Sequence, residues 1–164
     1  LDVILGSIHN INSKKLRVFM QGKSREEIYH AYFREVLDMV RTADIDVLGH
    51  LDLAKRYAFD SVGNYSFADN QNEIRAILTW LIQRKIGLEI NTSGWRNSVA
   101  EPYPSIEVLK LYRRLGGKYI TLASDAHKAE DIAADFRRAA AILCRTGFSE
   151  VCSYKERQAQ MYKL

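Results

Sequence analysis

Three of the four histidines in this 164-residue chain, His9, His50 and His127, stand just after short apolar runs, and Asp125 stands two residues before the last of them. Imidazole nitrogens and carboxylate oxygens together suit zinc, iron or manganese, and Ser124-Asp125-Ala126-His127 offers one of each two positions apart. One histidine after a strand is ordinarily satisfied by a backbone carbonyl. Three in equivalent places are harder to explain that way, and Asn91 occupies a fourth such place. His30 lies inside a helical pattern between Ile28 and Tyr32 and is read as having no chemical role.

The elements that must position these residues repeat along the chain. Asp2-Val3-Ile4-Leu5 reads as a short buried strand ending at Gly6-Ser7. Ser24-Arg25-Glu26-Glu27 is a capping box, and Ile28, Tyr32, Val36, Leu37 and Val40 follow at helical spacing. Residues 46–48 give a second strand, and 69–85 a helix that Gly87 is expected to end from the C′ position. Residues 88–91 form a third strand, followed by a helix from an N-cap at Ser105 to Leu115, closed by Gly116-Gly117. Residues 118–123 are a fourth strand, 131–145 an Ala-rich helix and 150–153 a fifth strand. Strands alternating with helices predict a parallel α/β architecture, because parallel neighbours need crossover connections. Periodicity leaves open whether the sheet is open or closed into a barrel; in a barrel, strand ends on one face surround one pocket.

Composition narrows the function classes. The length supports one domain with one core. No apolar run approaches the ~18 residues of a bilayer span, and no secretory signal pattern opens the chain, so no membrane partner is expected. Cys144 and Cys152 have no zinc-ribbon or CxxC spacing, which argues against a disulfide scaffold and for a reducing cytoplasm. The net charge of +4 comes from 24 basic residues interleaved with 20 acidic ones, so it is read as solvated helix faces and nucleic acid is not expected.

Taken together, "LDVILGSIH", "DVLGHLDLAKRY", "LEINTSGWR" and "EPYPSIEVLKLYRRLGGKYITLASDAH" resemble the PHP (polymerase and histidinol phosphatase) family, in particular its histidinol-phosphatase branch, over nearly the whole chain. Gly-Ser-x-His, Gly-His-x-Asp and Ser-Asp-Ala-His in this order are specific as a set, although each alone is weak. The resemblance implies a distorted, TIM-like (β/α)7 barrel with two or three divalent ions, zinc, manganese or iron, at the carboxyl ends of the strands. It also implies hydrolysis of a small phosphate monoester, L-histidinol phosphate, to histidinol and phosphate in histidine biosynthesis. Carried over by position, His9 and His50 would ligate one metal, Asp125 a second and His127 a third. Arg96 and Arg56 are placed to hold the phosphate, since a guanidinium fork donates two parallel hydrogen bonds. Asp52 would orient the His50 imidazole or help protonate the leaving alkoxide. Glu89 is set aside as a pocket-lining or locally paired carboxylate.

The family's remaining ligands, an amino-terminal His-x-His pair, further early histidines and a bridging Glu, have no counterpart in these residues. Residues 1–164 are therefore read as a single, amino-terminally incomplete PHP domain lacking its first two strands. A complete chain that has lost metal chemistry is the alternative to that reading. Open sheet edges would make the chain oligomeric or dependent on a missing amino-terminal segment. Two functional alternatives stand beside the histidinol-phosphatase reading: another phosphoesterase of the family, and a non-catalytic scaffold or partner domain.

Overall fold

The computed structural model describes all 164 residues. The chain opens with β1 (Leu5–Gly6), a small antiparallel pair β2 (Asn10–Ile11) and β3 (Lys14–Lys15), and a single turn of helix α1 (Leu16–Phe19). Then come α2 (Arg25–Thr42), β4 (Val47–Leu48), α3 (Ala54–Val62), α4 (Gln71–Arg84) and β5 (Gly87–Asn91). A 3₁₀ turn at Thr92–Arg96 leads to α5 (Ile106–Arg114), β6 (Ile120–Ala123), α6 (Phe136–Arg145) and a terminal hairpin of β7 (Glu150–Lys155) and β8 (Gln158–Lys163).

Four strands form one parallel sheet in the order β1-β4-β5-β6, with Leu5 opposite Val47, Leu48 opposite Leu88 and Leu88 opposite Ile120. The expected parallel α/β architecture is therefore present. All five residues of β5 are buried, as a central strand covered on both faces requires. Helix α2 begins at the predicted box: the Glu27 N–H donates to Ser24 Oγ at 3.2 Å, and the Ser24 N–H donates to Glu27 Oε2 at 2.8 Å. Its apolar stripe, Ile28, Tyr32, Phe33, Val36 and Val40, joins Ile74, Ile77, Leu78 and Leu81 of α4 in one core. Val108, Leu109 and Tyr112 of α5 and Ile142 and Leu143 of α6 extend it.

Two local expectations are corrected. Gly87 does not cap α4; Lys85 takes the left-handed conformation there (φ 57°), and Gly87 opens β5. A Cβ on Gly87 would lie 2.7 Å from the Tyr154 hydroxyl, so close packing explains the glycine. The last strand is longer than expected and does not join the parallel ladder. It pairs antiparallel with β8, a strand too polar to stand out in the sequence.

The β7–β8 turn, with Glu156 and Arg157 both at positive φ, is the tight two-residue kind that suits a twisted hairpin. It reaches beneath the amino ends of the parallel strands. The Arg157 guanidinium pairs with Asp44 at 2.6 Å and Asp46 at 3.1 Å, and the Glu156 and Arg157 N–H groups donate to Asp2 Oδ1 and the Asp2 carbonyl. Hydrogen bonding to Arg157 holds the Asp44 carboxyl below the usual carboxylate range. Arg157 stays charged throughout, so the stability this pair adds is present above the ordinary Asp value near 4 and is lost as pH falls through the lowered one. Urea midpoints measured at pH 6 and pH 3 should therefore differ less in Asp44→Asn than in the unmodified chain; an unchanged difference would remove Asp44 from the clamp's acid response.

The β1 side of the sheet is open, with Leu1, Val3 and Leu5 exposed. No helix is long and apolar enough to cross a membrane.

Candidate active site

The carboxyl ends of the parallel strands gather the candidate residues. His50 follows β4 after Gly49, with φ 24°, and its backbone N–H donates to Glu89 Oε1 at 2.9 Å. Glu89, buried on β5, also accepts from the Asn91 side-chain amide at 2.9 Å. Burial pushes the Glu89 carboxyl up, while the Asn91 and His50 donors oppose that shift. The His50 ring meets the His9 ring edge to face, with centroids 5.1 Å apart. Burial, reinforced by His9, pushes the His50 imidazole down to about 4, with Asp125 close enough to pull the other way. His50 is thus neutral near pH 7, the form that can ligate a metal, and its buried Nδ1 has no hydrogen-bond partner.

Asp125 follows β6 in the left-handed region (φ 48°), and the ring Nδ1 of His127 donates to the Asp125 carbonyl at 2.9 Å. That bond leaves Nε2 with its lone pair, an arrangement common among metal-binding histidines. The donors therefore fit a divalent ion in kind. No three His, Cys, Asp or Glu side chains of the chain close around one point.

Beside them lies an open cleft of about 440 Å³ with no apolar lining, where Arg56, Arg96 and Lys128 face Asp125, Asp131 and His127. Asn91 builds the turn that carries Arg96: its Oδ1 accepts from the Ser93 N–H at 3.0 Å and from Ser93 Oγ at 2.7 Å. Both arginines singled out by sequence thus reach one cleft with Asp125 and His127, and His9 and His50 adjoin each other. A second cavity of about 390 Å³, at the amino end of α2, shares no residue with this one. There His30 is paired with Glu73 at 3.0 Å, which accounts for it without chemistry.

Asp52 has a different setting. Its Oδ2 accepts from Tyr65 OH at 2.8 Å, the Ser105 N–H at 2.9 Å and Lys55 Nζ at 3.0 Å, and it makes no hydrogen bond to His50. Lys55, fully buried, also donates to Glu101 Oε1 at 2.9 Å and to the Pro102 carbonyl at 2.8 Å. Burial pushes the Asp52 carboxyl up against the opposing pull of Lys55. Ser105 stands at the N-cap of α5, but its hydroxyl lies against Tyr65 OH at 3.0 Å instead of capping the helix.

Sequence reasoning missed Lys55 and Asp131 and left Glu89 aside. A charged residue between Leu88 and Ile90 was a usable signal for Glu89, whereas two of the three partners of Lys55, Glu101 and Pro102, lie 46 and 47 residues away and leave no local trace.

The PHP domain model matches residues 1–93. A probable histidinol-phosphatase of Clostridium acetobutylicum is 31% identical over 142 residues, covering 84% of this chain and 55% of that protein. The histidinol-phosphatase of Lactococcus lactis is 29% identical over 157 residues, covering 93% of this chain and 58% of the relative. A crystal structure of the Lactococcus lactis histidinol phosphate phosphatase, complexed with zinc, L-histidinol and phosphate, superposes with a TM-score of 0.88 at 28% identity, covering 98% of this chain and 62% of that one. The chain spans about half the length of the curated relatives it matches.

Proposed function

The chain belongs to the PHP domain family, and on that premise we propose that it is part of a metal-dependent phosphate-monoester hydrolase acting on L-histidinol phosphate in a cytoplasmic biosynthetic setting. The observation that carries this reading is the convergence of Arg56, Arg96, Asp125 and His127 on one polar cleft beside the His9–His50 pair. The resemblance in structure to an enzyme crystallised with zinc, L-histidinol and phosphate supports the substrate. We place the four parallel strands in an arc of a distorted (β/α)7 barrel, residues 1–164 being one PHP domain.

In this reading His9 and His50 hold one divalent ion, Asp125 a second and His127 a third, zinc, manganese or iron in kind, with the other donors coming from outside these residues. Such ions supply the Lewis acidity that activates water and offsets phosphoryl charge. The protein's own residues do the rest. Arg56 and Arg96 grip the phosphate oxygens, and Glu89 holds the His50 backbone so that its neutral ring faces His9. Asp52 acts on the site by anchoring the turn that carries His50 and Arg56, through Lys55 and the Ser105 N–H. The exposed β1 edge supports pairing with a second copy or with further polypeptide.

Phosphate release from L-histidinol phosphate, with zinc or manganese supplied, is the test. Release should fall by about a hundredfold in Arg96→Ala, as for loss of one charge-stabilising donor. Faster release from sugar or nucleotide monophosphates would reassign the substrate. Release untouched by both Arg96→Ala and His50→Ala would remove the site. Light scattering on the same sample reads the edge: a monodisperse 18.8 kDa monomer would count against pairing.

A further inference from the structure

Arg96 is held along one edge of its guanidinium. Its Nε lies 3.2 Å from Asp131 Oδ1, its Nη2 donates to the Ser124 carbonyl, and its Nη1 has no partner in the protein. Nε and Nη2 form the side edge of the group, and Nη1 with the second Nη2 proton forms the end fork. The Ser124 carbonyl thus takes the side edge by a hydrogen bond and Asp131 by a charge contact, and the fork is left to the cleft that Arg96 lines.

The same segment is tied to the Arg96 turn at one more point and braced within itself at another. Thr92 Oγ1 donates to the Ala134 carbonyl at 2.7 Å, and the Ala133 N–H donates to Ser124 Oγ at 3.2 Å. The residues that aim Arg96 therefore flank Asp125 and His127 in one stretch of chain, 124–134. A carboxylate in an anion-binding cleft would by charge alone repel the anion, so its presence on the guanidinium's side edge calls for an explanation.

We propose that Asp131 is a positioning residue for phosphate recognition: with the Ser124 carbonyl it fixes Arg96 side-on and presents the end fork to a phosphate dianion. This deepens the phosphate-monoester reading and rests on it. Asp131 is not a competitor that the phosphate must displace, because the two anions use different edges of one guanidinium.

The test is a titration of the ¹⁵N-labelled 164-residue chain with inorganic phosphate, followed by NMR at the Arg96 Nε–H signal. Asp131→Ala should weaken phosphate binding by about tenfold despite removing a negative charge, as loss of an orienting partner does. Asp131→Asn, which keeps the shape, should move affinity in the same direction, and Asp131→Glu should restore most of it. Amide signals outside residues 92–96 and 124–134 should stay in place in Asp131→Ala. Equal or tighter phosphate binding in Asp131→Ala, while Arg96→Ala loses it, would overturn the proposal and make Asp131 a competitor. Displacement of those signals throughout the chain would overturn it in favour of a general structural role. Phosphate binding that Arg96→Ala leaves intact would instead bring down the cleft reading on which the proposal stands.

Discussion

Replacing Lys55 with methionine is expected to lower the free energy of unfolding by about 3 to 5 kcal/mol, the usual cost of breaking a buried ion pair from one side. Methionine fills most of the volume, so the loss reports the charge. Lys55 Nζ serves Asp52, Glu101 and the Pro102 carbonyl at once, and Asp52 Oδ1 is already buried without a partner. Without the ammonium, Asp52 would keep only the Tyr65 and Ser105 donors, and burial would drive its carboxyl further toward the neutral acid. The deficit should therefore be smaller near pH 4 than at pH 7. Urea unfolding at the two pH values checks both statements, and the double variant Asp52→Asn/Lys55→Met should recover part of the loss. A change below about 1 kcal/mol at pH 7 would mean the cluster is not a paired charge network.

Gly94→Ala should be nearly as damaging and should also reach the cleft. A Cβ at Gly94 would overlap the carbonyl oxygen of Glu101, a backbone atom in the segment that Lys55 and the Asn91–Tyr103 bridge pin in place. Overpacking against main chain costs about 3 kcal/mol where neither side can yield. Whatever relief the chain finds must move the 92–96 turn, and with it Arg96. Both the urea midpoint and phosphate affinity should fall together in this variant. A stable Gly94→Ala protein with undiminished phosphate binding would show that the turn is free to shift.

How much of this was legible in the sequence follows from the range of each interaction. The capping box at Ser24–Glu27 and the stripe behind it act within one helix, so the start and the buried face of α2 were readable. Strand β5 was readable because all its side chains are buried, and the strand-end placement of His9, His50, Asp125 and His127 follows from topology. Gly87 misled because its constraint is the Tyr154 hydroxyl, 67 residues on, whose Cβ clearance no local pattern encodes. The antiparallel pairing of β7 escaped notice because β8 is mostly exposed and polar. In the site, residue type pointed to the candidate ligands and arginines. The groups that aim them, Glu89 under His50 and Asp131 beside Arg96, hold their partners across 39 and 35 positions and needed the fold to be seen.

The hairpin turn beneath the sheet has a kinetic consequence. Its bond from the Glu156 N–H to Asp2 joins residues 154 apart, and its pairs with Asp44 span more than a hundred. Closing so long a loop is entropically costly until the intervening strands have assembled, so these contacts belong to the end of folding. Contacts absent from the transition state act on the escape rate and leave the folding rate nearly unchanged. The Arg157 turn is thus a latch that lengthens the life of the assembled sheet, and it engages only after residues 2–157 have all been synthesised.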